Sequence, residues 1–432
     1  MQRILISASL AVVVGTTLAT PDAARAQQAQ AAPVSTGLIQ GMSRERIDRI
    51  AGVMKQEVDK GTFPGAVSLI ARRGEIVHFE AHGFQDAGKT KPMAKDSIFR
   101  MASMTKPIVT VAAMMLVEQG LFKPNDPITQ YLPELKDLKV EVARKSGDGT
   151  VGTEDVQPTR AITIQDLMRH SSGFFYAGAI QSTRLKDAYE KANIEARDED
   201  IASDEMLRRL GQIPLAHQPG TNFHYSISTD VLGLLLERAT KKSLDVLLQE
   251  MLIRPLGMKD TAFWVPAEKT SRLADVPDSD PTKKASLRFC KTEDEIKKSY
   301  LKGGAGLCGT ADDYFKFLQM IANGGEYQGK RYLSKKTVEF MLQDHLVGMG
   351  GSTANSTGPG YGFGLGFAVR LQDGFGWSPG SKGDAMWGGA FGTSFTIDPR
   401  EQLVAILQTQ AGGPRLQSRH LFKNLVYGAM VE

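Results

Sequence analysis

The chain has 432 residues, 41% hydrophobic and 23% charged, a balance that fills a core and excludes bulk disorder. Its net charge of +4 is spread without a long basic run, too weak and diffuse to argue for nucleic acid, and no such partner is expected. Two cysteines, Cys290 and Cys308, cannot build a disulfide scaffold or a cysteine-based zinc site.

The first segment reads as an export signal. Arg3 gives a positive start, Ile4 to Leu18 is an apolar run broken only by Ser, Gly and Thr, and Ala24-Arg25-Ala26 supplies a small-x-small pattern, so cleavage is expected after Ala26. That run is shorter than the roughly 20 apolar residues of a spanning helix, and no later segment reads as one. The expectation is a periplasmic or secreted protein with no stable membrane insertion. In that setting the two cysteines are expected as buried small hydrophobes. A bridge between them stays chemically open.

Residues 27–42 read as a polar, Ala/Gln-rich linker. From Ser43, a plausible N-cap, the spacing of Ile47, Ile50, Val53, Met54 and Val58 predicts a helix. Gly65 to Ile70 and Ile76 to Phe79 read as strands joined by a turn at Arg72-Arg73-Gly74. An apolar helix covers 107–118 and ends at Gly120. The chain from Val140 to Leu210 is more charged, with a turn at Ser146-Gly147-Asp148-Gly149, and Lys186 to Leu210 reads as a solvated helical insertion. Two apolar-faced helices follow, Ser228 to Ala239 and Ser243 to Leu252. Phe391 to Ile397 and Leu403 to Gln408 close the chain as a hairpin. Strands at both ends predict one α/β domain from 43–110 and 300–432, with a mainly helical domain from 111–299 inserted in it.

Chemistry enters at Ser103-Met104-Thr105-Lys106. Residues i and i+3 share a helix face, so the hydroxyl and the amine can meet. A lysine activates a serine once it is neutral, which burial against an apolar helix favours. Ser103 at a helix start also aims its own N–H at a developing oxyanion. Ser299-Tyr300-Leu301-Lys302 has the same spacing but runs into Gly303-Gly304, a poor setting for a rigid helix. Gly376-Trp377-Ser378-Pro379-Gly380 matches the G-x-S-x-G elbow, yet Pro379 lacks the N–H which that elbow needs. The seven histidines include no zinc-protease motif, and no metal site is expected. His170 reads as structural.

Two further elements stand downstream of Ser103, Tyr225-Ser226 and Trp387-Gly388-Gly389-Ala390. In this order the three resemble the serine β-lactamase and penicillin-binding superfamily, with its S-x-x-K, Y-x-N and K-T-G patterns. Asn125-Asp126-Pro127, the LMRHSSG run from Leu167 to Gly173, and Gly303 to Tyr314 extend the likeness over roughly residues 45–430. Ile227 stands where the pattern has Asn, and Trp387 where it has Lys. These departures resemble family VIII carboxylesterases, the esterase branch near class C β-lactamases.

The resemblance implies an α/β fold of β-lactamase/DD-peptidase type, a mainly antiparallel sheet flanked by helices with an inserted all-α lobe. It implies Ser103 as nucleophile, Lys106 as its base and Tyr225 as proton shuttle, with backbone N–H groups of Ser103 and Ala390 as oxyanion hole. Trp387, Gly388, Gly389 and Ile227 would face the substrate. Loss of a cation at 387 and of an amide at 227 points to short-chain, neutral esters, cleaved without a cofactor. The same fold leaves open an amide hydrolase acting on β-lactams, D-amino-acid peptides or unusual oligomers, acyl transfer to an alcohol, and a penicillin-binding or sensing protein.

Overall fold

The computed structural model describes residues 37–432 apart from 148 and 197–199; the export signal and most of the linker lie outside the described residues. Ser43 caps the first helix, α1 (Arg44–Asp59), accepting the Arg46 amide at 3.4 Å. Two long strands follow, β1 (Gly65–Arg72) and β2 (Glu75–Gly83). The other strands of the main sheet come from the far end of the chain. They are β3 (Tyr361–Phe363), β4 (Ala368–Arg370), β5 (Ala385–Gly388), β6 (Ser394–Asp398) and β7 (Leu403–Thr409). The order is β3-β4-β5-β6-β7-β1-β2, antiparallel throughout, with Leu403 opposite Arg72 and Thr409 opposite Ala66.

Four helices matter to the rest of the molecule: α2 (Thr105–Glu118), α3 (Ser228–Thr240), α4 (Ala311–Ala322) and α5 (Arg415–Gly428). Side chains alternate across a strand, so each central strand feeds two cores. Ala66, Ile70, Leu403 and Leu407 pack with Ile50 and Met54 of α1 and Phe422 and Val426 of α5. Val67, Leu69, Val404 and Ile406 face the other way, into a larger core with residues of α2, α3 and α4. With both faces covered, β1 and β7 bury every residue.

The stretch between β2 and β3 departs from an all-helical lobe. It carries an antiparallel hairpin, Val140–Lys145 with Val151–Val156. Most of its side chains are exposed, and ion pairs hold it: Arg144 with Glu154, and Arg184 with both Glu141 and Asp155. Such strands lack the apolar alternation by which a sequence announces them. The 186–210 stretch is likewise more than a solvated insertion. Helices Thr183–Lys191 and Ser203–Leu210 run into and through it, and they bury Leu185, Tyr189, Met206, Leu207 and Leu210. Cys290 and Cys308 are buried as expected, but as a disulfide rather than two thiols.

Candidate active site

A short pairing of Phe99–Arg100 with Cys308–Gly309 leads into the site, and the Met101 amide donates to the Leu307 carbonyl at 3.0 Å. This lays the glycine-rich 303–307 segment along the start of α2. Ala102 then adopts a left-handed backbone, φ +47, which costs a residue with a side chain about 1–2 kcal/mol. The chain turns there into a 3-10 turn, Ala102–Met104, that runs on into α2. Ser103 stands half-buried on the turn, and Lys106 follows in the first turn of α2, 1% exposed.

Lys106 Nζ lies 3.3 Å from Ser103 Oγ, the contact that i,i+3 spacing predicts. The amine also donates to the Tyr176 hydroxyl at 3.1 Å and to the Gly304 carbonyl at 2.7 Å. Tyr225 joins through its ring: Nζ sits 4.7 Å from the ring centroid, over the aromatic face. The Tyr225 hydroxyl accepts from the Trp387 indole N–H at 3.3 Å.

Other expected positions need correction. Trp387 is 3% exposed, packed on Tyr225 and against the edge of Phe363, so it orients Tyr225 rather than lining an open cleft. Ile227, expected to face substrate, is 1% exposed within the main core at the start of α3. Gly388 and Gly389 are small because the protein itself fills the space. A Cβ at 388 would lie 2.1 Å from Arg419 Nη2, and one at 389 would lie 2.3 Å from the Met101 carbonyl. The latter contact brings the exposed Ala390 corner close to the turn that carries Ser103.

The rival serines stand apart. Ser299 Oγ donates to the Ile201 carbonyl, and Lys302 Nζ to that of Glu195. Ser378 meets His420 Nδ1 at 3.0 Å. His78 and His82 both bond Ser68 Oγ, at 2.7 and 3.1 Å, and among the described residues no cluster of three or more metal-ligating side chains occurs.

A family model described as Beta-lactamase matches residues 50–427, which includes every residue of this site. The chain belongs to the beta-lactamase family. Within this family it is 32% identical over 383 residues to "Esterase EstB" of Burkholderia gladioli, covering 84% of this chain and 89% of that one. It is 28% identical over 376 residues to "Lovastatin esterase" of Penicillium rubens, covering 82% and 90%. Among solved structures it is similar to "EstCE1, a hydrolase with promiscuous acyltransferase activity", with TM-score 0.74, 27% identity, and 90% and 99% coverage. The beta-lactamase fold, an antiparallel sheet flanked by helices, is therefore established for this chain.

In this beta-lactamase-family site, burial sets the charge of the surrounding groups. Burial and Asp230 push Tyr176 well above the usual phenol range, so it stays a hydroxyl. Burial and then Lys106 hold His170 well below its ordinary value, a neutral imidazole 4.7 Å from the Tyr225 ring. Burial also raises Asp230, opposed by Lys106 and the Gly304 amide. Tyr176 and Asp230 are site residues that sequence reasoning missed. Tyr176 is 70 positions from Lys106, and its one signal was an aromatic run just after the LMRHSSG segment.

Proposed function

We propose that this serine hydrolase is an exported carboxylesterase working through an acyl-serine intermediate. Ser103 Oγ gives its proton to Lys106 and attacks the ester carbonyl carbon. The resulting oxyanion is held by the N–H groups of Ser103 and Ala390. Tyr225 passes a proton to the departing alcohol, and water then cleaves the acyl-serine, so no cofactor enters. The observation that carries this reading is the 3.3 Å contact between Ser103 and a lysine that is 1% exposed. The esterase relatives support the ester class. The Cys290–Cys308 bridge supports export, since disulfides persist in oxidising compartments.

Trp387 in place of a lysine leaves no cation on that strand for a substrate carboxylate, so short-chain neutral esters are the proposed substrates. One observation favours a second reading, hydrolysis of carboxylate-bearing amides such as β-lactams. Arg419 is 6% exposed beneath Gly388 and makes no ion pair among the described residues. Comparing kcat/KM for p-nitrophenyl acetate and butyrate with nitrocefin and benzylpenicillin separates the two. The esters should be turned over at least about 100-fold more efficiently. Equal or better values for the β-lactams would replace the esterase reading with the amide-hydrolase one.

A further inference from the structure

The Lys106 amine has a partner that ester hydrolysis as outlined leaves unused. It donates to the Gly304 carbonyl at 2.7 Å, and the Gly304 amide in turn donates to the Asp230 carboxylate at 3.0 Å. A Cβ at position 304 would stand 2.5 Å from Asp230 Oδ2, so the carboxylate lies flat against Gly304 and a larger residue is shut out. Gly303 makes the same close approach to Gly233 of α3, where a Cβ would meet the Gly233 Cα at 3.3 Å. Asp230 itself is 4% exposed and sits in the first turn of α3, where the helix amides favour negative charge.

A carboxylate buried this deeply is costly unless something offsets it. Lys106, across one glycine, supplies that offset when it takes up a proton.

We propose that Asp230 is a positioning residue for acylation: through Gly304 it seats the Lys106 amine against Ser103, and its negative charge balances the positive charge Lys106 gains on taking the Ser103 proton. The inference rests on Ser103 and Lys106 acting as nucleophile and base. In that step the Ser103 O–H bond breaks and its proton joins the lone pair of Nζ. The Oγ–C bond forms as the carbonyl electrons move onto oxygen. Neutral amine beside carboxylate becomes ammonium beside carboxylate, so the proton transfer leaves no unbalanced cation buried in α2. Without Asp230 the same transfer would strand one.

The titratable groups facing this pair are Tyr176, Tyr225 and Tyr300, with His170, Lys302 and Glu195. Burial keeps Tyr176 and Tyr300 as hydroxyls and His170 neutral. Lys302 bonds the Glu195 carbonyl. Asp230 thus reaches Lys106 through hydrogen bonds made on the two sides of Gly304.

Asp230→Asn keeps an oxygen for the Gly304 N–H and removes the charge. With p-nitrophenyl butyrate, kcat should fall about ten- to a hundred-fold with little change in KM. The acidic limb of kcat/KM should move to lower pH by about one unit, because an amine without its anion sheds its proton more readily. Asp230→Glu, which restores the charge, should return the limb towards its original position. The same shift should appear without substrate in the Lys106 side-chain signal of 13C-lysine-labelled protein, assigned through Lys106→Arg. A Lys106 titration that does not move in Asp230→Asn overturns the proposal, whatever happens to activity. If the signal moves but no ester is cleaved, the link stands and the esterase reading alone fails. Should the variants not fold, the Asp230 carboxyl carbon of the unaltered protein decides. It must report an ionised group at the pH where activity appears, and a protonated one overturns the proposal.

Discussion

Ser103 and Ser378 both sit in sequence patterns that suggest a nucleophile, and their neighbours separate them. Ser103 has Lys106 at 3.3 Å and a helix start behind it. Ser378 has His420, but the far nitrogen of that ring is buried without a partner, and the next residue is Pro379. Among the described residues no carboxylate orients the imidazole, and Pro379 offers no N–H after the serine to hold an oxyanion. Ser103→Ala should therefore lose about a thousand-fold or more in kcat, while Ser378→Ala keeps most activity. A dead Ser378 variant beside an active Ser103 variant would reverse the assignment. The lysine is tested separately. Lys106→Arg keeps a positive charge but cannot act as a base, so it should be nearly as inactive as Lys106→Ala. Near-normal kcat in the Arg variant would show that charge alone is needed.

The Ser103–Lys106 contact was legible because both residues ride one helical run, the 3-10 turn and α2, and periodicity fixes their distance. Tyr176 was not, because it reaches the amine from a loop, and no spacing rule connects them. Trp387 and Ile227 were legible as departures from a pattern but not as buried residues. A sequence names the position, whereas only the sheet and the start of α3 decide which way the side chain turns.

At the level of elements, the short helix Ile164–Met168 shows how a local device reaches the site. Thr163 and Asp166 form a capping box, and Asp166 also receives Arg160, Arg169 and the Ser171 hydroxyl. The residue next to this knot, His170, adopts φ +56 and packs against Tyr225. Burial would raise the Asp166 carboxyl, but Arg160, Thr163 and Arg169 hold it at about 2. An unfolded aspartate titrates near 3.9, so this depressed group adds stability that is fully present well above pH 4. That stability is lost as pH falls through about 2. The displacement is nearly two units, roughly 2–3 kcal/mol. Asp166→Asn should be less stable by about that much at pH 7, and the gap should close towards pH 2. Denaturant titrations of both proteins across that range check it, and a gap indifferent to pH would mean the loss is one of packing. The hairpin from Val140 to Val156 was illegible for the opposite reason, since ion pairs carry no periodicity.

On the scale of the whole molecule, the fold class was legible because strong strand patterns stand at both ends of the chain. The disulfide was not, because two cysteines 18 positions apart fix neither their distance nor their redox state. A loop of that size closed by a bridge is worth about 3 kcal/mol. The double variant Cys290→Ala, Cys308→Ala should lower the unfolding free energy by roughly that amount. Reductant should lower the midpoint of the unaltered protein and leave the variant unchanged.

Strand β7 has a consequence for the order in which the molecule can be made. It is synthesised long after β1, yet it lies between β6 and β1, and Arg72 bonds the Glu401 carbonyl across 329 positions of chain. Until Leu403–Thr409 exists, β1 keeps an open edge ready to pair with another chain. The apolar side chains of α1 likewise lack the β7 half of their partner surface. Long-range closure of this kind is slow. A nascent chain that already contains Ser103 and Lys106 but not β7 cannot yet hold the sheet against which they work, so on the proposed mechanism Ser103 stays inert until β7 has been made.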